Sequence, residues 1–294
     1  MPSSFDPARL SRRDLMKCAA LSAALPALGA SASPELVTGL RCEYAVNPVG
    51  IDQPAPRLSW MVRTDVPDWT QSAYQIEAAS SRERLLSAKA DLWDSGQVRT
   101  SQSAQVEYRG KALVSRRRCW WRTRVWNHAG VASGWSEPAC WIMGLLAEPD
   151  WKGSRWIGHD SILENTQEKM PGDGPASLPS ARPAPFLRRE FAVRGRVRSA
   201  LLYACGLGYA ELHLNGKKIG GDTERDPAYT NYDSRVLYVA HDVTALMAPG
   251  TNALGAILGT GWYDVHDIAT WHFNTAPWRA RPVLRLLLAV EYED

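Results

Sequence analysis

Tyr209-Ala210-Glu211-Leu212-His213-Leu214-Asn215-Gly216-Lys217-Lys218-Ile219 is the stretch that decides how this chain folds. Ala210, Leu212 and Leu214 alternate with Tyr209, Glu211 and His213. A period of two puts the apolar side chains on one face of a strand. Asn215-Gly216 follows at once and takes the positive φ angles of a type I′ turn with little strain, so the stretch predicts a β-hairpin.

Working outward, the same grammar continues. Upstream, Phe186 to Phe191 and Ala200 to Ala204 predict strands. Downstream, Asp242-Val243-Thr244, Leu246 and Pro249-Gly250-Thr251-Asn252 lead into an apolar strand from Ala253 to Leu258, and Pro282 to Tyr292 predicts another. Residues 159–185 carry no apolar period, and seven prolines and glycines between Pro171 and Pro185 predict an irregular surface excursion.

The first half reads the same way. Arg57-Leu58-Ser59-Trp60, Ala73 to Ala78, Val106-Glu107-Tyr108 and Cys119 to Trp126 are short β-prone runs divided by turn residues. Ser81 to Ala90 is the one helical candidate. The expectation is an all-β protein of two β-sandwich domains, at 34–146 and 150–294. Along 119–126, Cys119, Trp121, Thr123 and Val125 suit a core. Trp120, Arg122, Arg124 and Trp126 share the other face, which Trp135 could extend into a stack of rings and guanidinium groups. A structural ladder is the preferred reading of that stack, over a sugar platform or an acidic-ligand site.

Composition narrows the function classes. Apolar residues at 45% and charged residues at 22% are those of a globular protein. A net charge of +3 with dispersed arginines gives no electrostatic case for nucleic acid. After residue 35 no stretch approaches the roughly 20 apolar residues of a membrane span. Trp is abundant (13) and Phe scarce (4), as happens where flat faces pack on sugars and also in sandwich cores.

The N-terminus reads as an address. Arg12-Arg13 stands directly before the apolar run Cys18 to Leu28, and Ala30-Ser31-Ala32 offers a small-x-small cleavage site. This predicts a twin-arginine signal peptide over 1–32 and a periplasmic or secreted mature chain starting near Ser33. Cys42, Cys119, Cys140 and Cys205 remain, with no C-x-x-C spacing for zinc. A protein that folds before export cannot depend on a disulfide, so buried thiols are expected.

Several motifs, in order, resemble one family. Cys42-Glu43-Tyr44, Asn47-Pro48-Val49-Gly50-Ile51-Asp52, Pro56-Arg57-Leu58-Ser59-Trp60, Asp91-Leu92-Trp93-Asp94-Ser95-Gly96 and Trp135-Ser136 resemble the opening of bacterial α-L-rhamnosidases. Gly206-Leu207-Gly208-Tyr209, Tyr229-Thr230-Asn231-Tyr232 and Leu258-Gly259-Thr260-Gly261-Trp262-Tyr263 resemble that family's next domain. The resemblance implies a fibronectin type III/Ig-like sandwich followed by a jelly roll. It also implies that the carboxylate pair of an inverting glycoside hydrolase lies on an (α/α)₆ barrel absent from this chain. On this reading the chain is the accessory N-terminal part of an exported enzyme. Its expected partners are that missing C-terminal barrel and a rhamnose-containing glycoside or polysaccharide. A free-standing secreted carbohydrate-binding or adhesion protein is the alternative.

Two constellations carry chemistry. Trp262, Tyr263, Asp264, Trp271 and Trp278 gather, beside His266, Asp267, His272 and Asn274, in a long polar segment without period. Rings with adjacent carboxylates are what a sugar site requires, stacking on C–H faces and bonding to hydroxyls. The competing reading is a loop that packs on the absent barrel. A hydrolase built on Asp264 and Asp267 is disfavoured, since two carboxylates three residues apart on one loop are poorly placed to flank a glycosidic bond from opposite sides. Asp222, Asp226, Asn231 and Asp233 are hard oxygen donors suited to calcium but lack EF-hand spacing. Some rhamnosidases have a calcium-dependent rhamnose-binding module related to this jelly roll. Here no cofactor is expected, with calcium the one candidate.

Overall fold

The computed structural model describes residues 36–159, 184–221, 228–265 and 276–293. In the first domain come β1 (Leu36–Cys42), β2 (Val49–Ile51), β3 (Arg57–Arg63) and β4 (Gln71–Ala79), then the helix α1 (Arg82–Leu86). β5 (Trp93–Asp94), β6 (Val98–Arg99), β7 (Val106–Glu107), β8 (Arg118–Asn127) and β9 (Ala139–Met143) complete it. One sheet has the order β1-β3-β7, and the other runs β2-β9-β8-β4-β5 with β6 also paired to β4. Side chains from both sheets meet between them, with Leu58, Ile76, Cys119, Trp121 and Trp141 fully buried. Two buried indoles find partners: Trp60 Nε1 donates to Gln71 Oε1 at 3.1 Å and Trp141 Nε1 to the Met143 sulfur at 3.3 Å.

The helix is shorter than the Ser81–Ala90 expectation. Ser81 caps it, its hydroxyl accepting from the Arg84 N–H, but Leu85 is its single buried residue. One apolar anchor does not sustain a longer helix. Ala88 turns left-handed at φ 54° and ends it.

The second domain contains β10 (Trp156–Ile157), β11 (Phe186–Val193), β12 (Val197–Leu207), β13 (Tyr209–Leu214) and β14 (Lys217–Lys218). β15 (Val239–Asp242), β16 (Gly250–Gly259) and β17 (Val283–Tyr292) follow. Two four-stranded sheets, β10-β17-β12-β15 and β11-β16-β13-β14, face each other across Leu202, Leu212, Leu214, Leu258 and Leu284. The 209–219 hairpin joins β13 to β14 through Asn215 at φ 52° and Gly216 at φ 78°. Both central φ values are positive, as a type I′ turn demands. No helical barrel exists among the described residues, and none of their helices is long and apolar enough to cross a membrane.

A third apolar cluster lies between the domains. Ile142, Leu145 and Trp151 pack on Leu201, Tyr203 and Cys205, with Tyr238 and Ala240 beside them. The Tyr238 hydroxyl accepts from the Leu145 N–H at 2.9 Å, and Arg118 donates to Asp242 at 2.7 Å. The backbones approach so closely that a Cβ on Gly144 would collide with the Tyr238 hydroxyl. A Cβ on Gly50 would sit 2.8 Å from that of Ala240.

The four cysteines described are free thiols, three of them buried. Burial above all pushes the Cys119 and Cys205 thiols up to about 12, and drives Cys42 in the same direction, so they stay protonated and unreactive.

Candidate functional site

Of the stack expected on β8, Arg122, Arg124, Trp126 and Trp135 come together. Arg122 lies over the Trp135 ring at 4.4 Å, and Arg124 lies over Trp135 at 4.7 Å and Trp126 at 5.0 Å. Its polar groups are consumed within the domain. Arg122 donates from Nε and Nη2 to Glu77 Oε2 at 2.9 and 2.6 Å, with Arg122 9% and Glu77 8% exposed. Arg124 donates twice to Gln75 Oε1, at 3.0 and 2.8 Å. A guanidinium so engaged has little left for a ligand, and the ladder reads as structural.

A different aromatic cluster stands at one end of the second sandwich. Its parts come from the segment leading to β15 and from the connection between β16 and β17. Gly261, at φ 51°, turns the chain after β16, and the Asp264 N–H closes on the Thr260 carbonyl at 3.2 Å. Tyr232 is the hub. Its ring meets Tyr263 at 5.1 Å, Tyr229 at 5.6 Å and Trp278 at 6.2 Å between centroids. Tyr229 in turn meets Trp262 at 6.5 Å. All but the tilted Tyr232–Trp278 pair are edge-to-face, and such aromatic contacts contribute about 0.5–1.5 kcal/mol each beyond area burial. They fix the inner rings and leave the outer two half open, with Trp262 38% and Tyr229 43% exposed.

Burial first, then the neighbouring phenols, pushes Tyr232 up to about 12. Burial and the nearby Asp264 carboxylate raise Tyr263. Both phenols are therefore neutral at physiological pH and can donate as well as accept.

Asp264 is 3% exposed. It sits between two guanidinium groups, with Arg279 Nε 3.8 Å from Oδ1 and Arg281 Nη1 3.6 Å from Oδ2. The carboxylate thus ties the limb bearing Trp262 and Tyr263 to the limb bearing Trp278. It acts at the base of the cluster and not on its open face.

The structure brings together four of the sequence candidates, Trp262, Tyr263, Asp264 and Trp278. Trp271, with His266, Asp267, His272 and Asn274, lies outside the described residues. Sequence reasoning missed Tyr229, Tyr232, Arg279 and Arg281 as members of the site. The signal available was the Tyr229-x-x-Tyr232 pair and two arginines two residues apart, which share one side of an extended chain.

Of the calcium candidates, Asp222 and Asp226 lie outside the described residues. Asn231 and Asp233 are exposed, and the Asn231 side-chain oxygen accepts from the Asp233 N–H at 3.1 Å, the geometry of a turn. Among the described residues no group of three or more His, Cys, Asp or Glu side chains comes together to hold a metal.

Known proteins match both domains. Residues 37–147 match the Rha78A-like N-terminal immunoglobulin domain, and residues 195–294 match the alpha-L-rhamnosidase N-terminal domain. An alpha-L-rhamnosidase of Formosa agariphila is 36% identical over 257 residues, covering 84% of this chain and 27% of that protein. One from an Alteromonas species is 39% identical over 223 residues, covering 76% of this chain and 23% of that protein. The solved structure of the alpha-L-rhamnosidase from Dictyoglumus thermophilum superposes with a TM-score of 0.74 at 32% identity, over 88% of this chain and 28% of that one. The chain spans about a quarter of the length of these relatives.

Proposed function

This chain carries the N-terminal immunoglobulin-like domain and the N-terminal sandwich domain of the α-L-rhamnosidase family, and from that premise we propose that it is the accessory, sugar-holding part of an exported rhamnosidase. The enzyme hydrolyses terminal α-L-rhamnosides with a carboxylate pair on a helical barrel elsewhere in the same polypeptide. The pair Arg12-Arg13 ahead of an apolar run supports export by the twin-arginine route. Replacing both with lysine is expected to leave the precursor in the cytoplasm, and normal processing of that variant would remove this part of the proposal.

The half-exposed pair Trp262 and Tyr229 carries the sugar reading. Rhamnose, a 6-deoxy sugar, presents a methyl group and C–H faces that pack on such rings, while its hydroxyls take hydrogen bonds. Tyr232 backs the outer rings, and Asp264 with Arg279 and Arg281 holds the loop that bears them. The open face rests on Trp262 and Tyr229, with Tyr263 and Trp278 packed on Tyr232 behind them.

Titration of the purified chain with L-rhamnose, read by tryptophan fluorescence, tests the reading. A monosaccharide on an open face offers few atoms, so saturation is expected at millimolar concentration. Trp262→Ala should abolish the response and, through loss of the contact with Tyr229, lower stability by about 1–2 kcal/mol. No response at any concentration, with or without calcium, would leave a purely structural module.

A further inference from the structure

A cavity of about 220 Å³ opens on the second sandwich, with Tyr209, Glu211, Lys218, His241, Ile257 and Gly259 among its lining residues. Drug-sized ligands occupy pockets of about 300–1,000 Å³, so this one suits a molecule the size of a single ring. Its polar and apolar parts are separated. Glu211 meets His213 at 2.7 Å and Lys218 at 3.1 Å, while Ile257 and Leu258 supply carbon surface. Hydrogen bonds from His213 and Lys218 hold the Glu211 carboxyl below the usual range. It is therefore an acceptor at neutral pH, beside an ammonium donor. Vicinal hydroxyls of a pyranose match such a pair.

The cavity shares a wall with the aromatic face. The Tyr209 ring lies against the Gly259–Gly261 backbone, where a Cβ on Gly261 would sit 3.3 Å from Tyr209 Cε2. Tyr209 is also one of the phenols that raise Tyr232. One ring thus separates the two places, and Trp262 follows Gly261 directly in the chain.

We propose that this cavity is a second saccharide subsite, taking the sugar ring next to the terminal rhamnose, with Glu211 and Lys218 bonding its hydroxyls and Tyr209 and Ile257 packing on its carbon face. The proposal rests on the sugar reading of the aromatic face. It makes the chain a reader of a disaccharide unit and not of rhamnose alone.

Amide-resolved NMR of the full chain with two probes, methyl α-L-rhamnoside and the rhamnosyl-glucose disaccharide rutinose, tests it. The monosaccharide should shift signals of Tyr229 and Trp262 alone. Rutinose should in addition shift Glu211, Lys218 and Ile257 and bind about five- to tenfold tighter, a gain near 1–1.4 kcal/mol. The double variant Glu211→Gln/Lys218→Met changes two solvent-facing side chains and should return rutinose to the monosaccharide affinity. Rutinose shifts confined to the aromatic face, or a gain that survives the double variant, would overturn the subsite and leave the face standing. Shifts in the cavity without any at Tyr229 and Trp262 would remove the face and, with it, the cavity's place next to a terminal rhamnose. Silence at both places would remove both.

Discussion

The β8 ladder and the ring cluster around Tyr232 are built from the same ingredients: tryptophans, arginines and a buried carboxylate. They differ in where the partners end. In the ladder Arg122 lies on Trp135 and its donors close on Glu77, so ring faces and charges are spent on one another. In the cluster Arg279 and Arg281 close on the buried Asp264, and the outer two rings keep open surface. Aromatic content alone therefore says nothing about ligand binding. What matters is whether the guanidinium groups cover the rings or hold the loop behind them.

The comparison can be broken by experiment, most severely in the ladder. Glu77→Ala leaves the Arg122 charge buried without its partner, which typically costs about 3–5 kcal/mol. Thermal or denaturant unfolding should register that loss, while the rhamnose affinity of the folded fraction stays unchanged. A fall in affinity comparable to that of Trp262→Ala would mean that the ladder and the ring face are not independent.

Asp264→Asn should cost less stability but reach the ring face. The amide keeps the shape but removes the charge between Arg279 and Arg281, with an expected stability cost of about 1–3 kcal/mol. Rhamnose affinity should fall about tenfold, a loss of 1.4 kcal/mol, because the limbs bearing Trp262 and Trp278 are no longer tied. Unchanged affinity would show that the ion pair stabilises the loop without placing the rings.

Some of this was legible in the residues themselves. The 209–219 hairpin and the two faces of β8 depend on local alternation and an Asn-Gly turn, which need no knowledge of the rest of the chain. The hub role of Tyr232 and the Asp264–Arg279–Arg281 tie depend on contacts made only after the second sandwich has closed. Nothing in the spacing of Asp264 and Arg281, on opposite limbs of a long loop, announces an ion pair. The seam between the domains was hidden for a related reason. Nothing in the sequence marks Gly50 and Gly144 as contact points, whereas the structure uses their missing Cβ atoms to let Ala240 and Tyr238 approach. The helix at Ser81 was over-read because helix-compatible residues, Leu86 to Ala90, continue past the single buried leucine, Leu85.

The smallest perturbation is also the most direct test, because it leaves the fold untouched. With the indoles labelled and assigned, rhamnose should move the N–H resonance of Trp262 in a saturable way. Trp126 and Trp135 in the ladder, and the core residues Trp121 and Trp141, should stay still. That pattern would establish that the open ring face holds the sugar while the ladder only supports its own sheet. Movement of Trp135 or Trp126 with Trp262 unmoved would contradict the account, since it would place the sugar on the ladder.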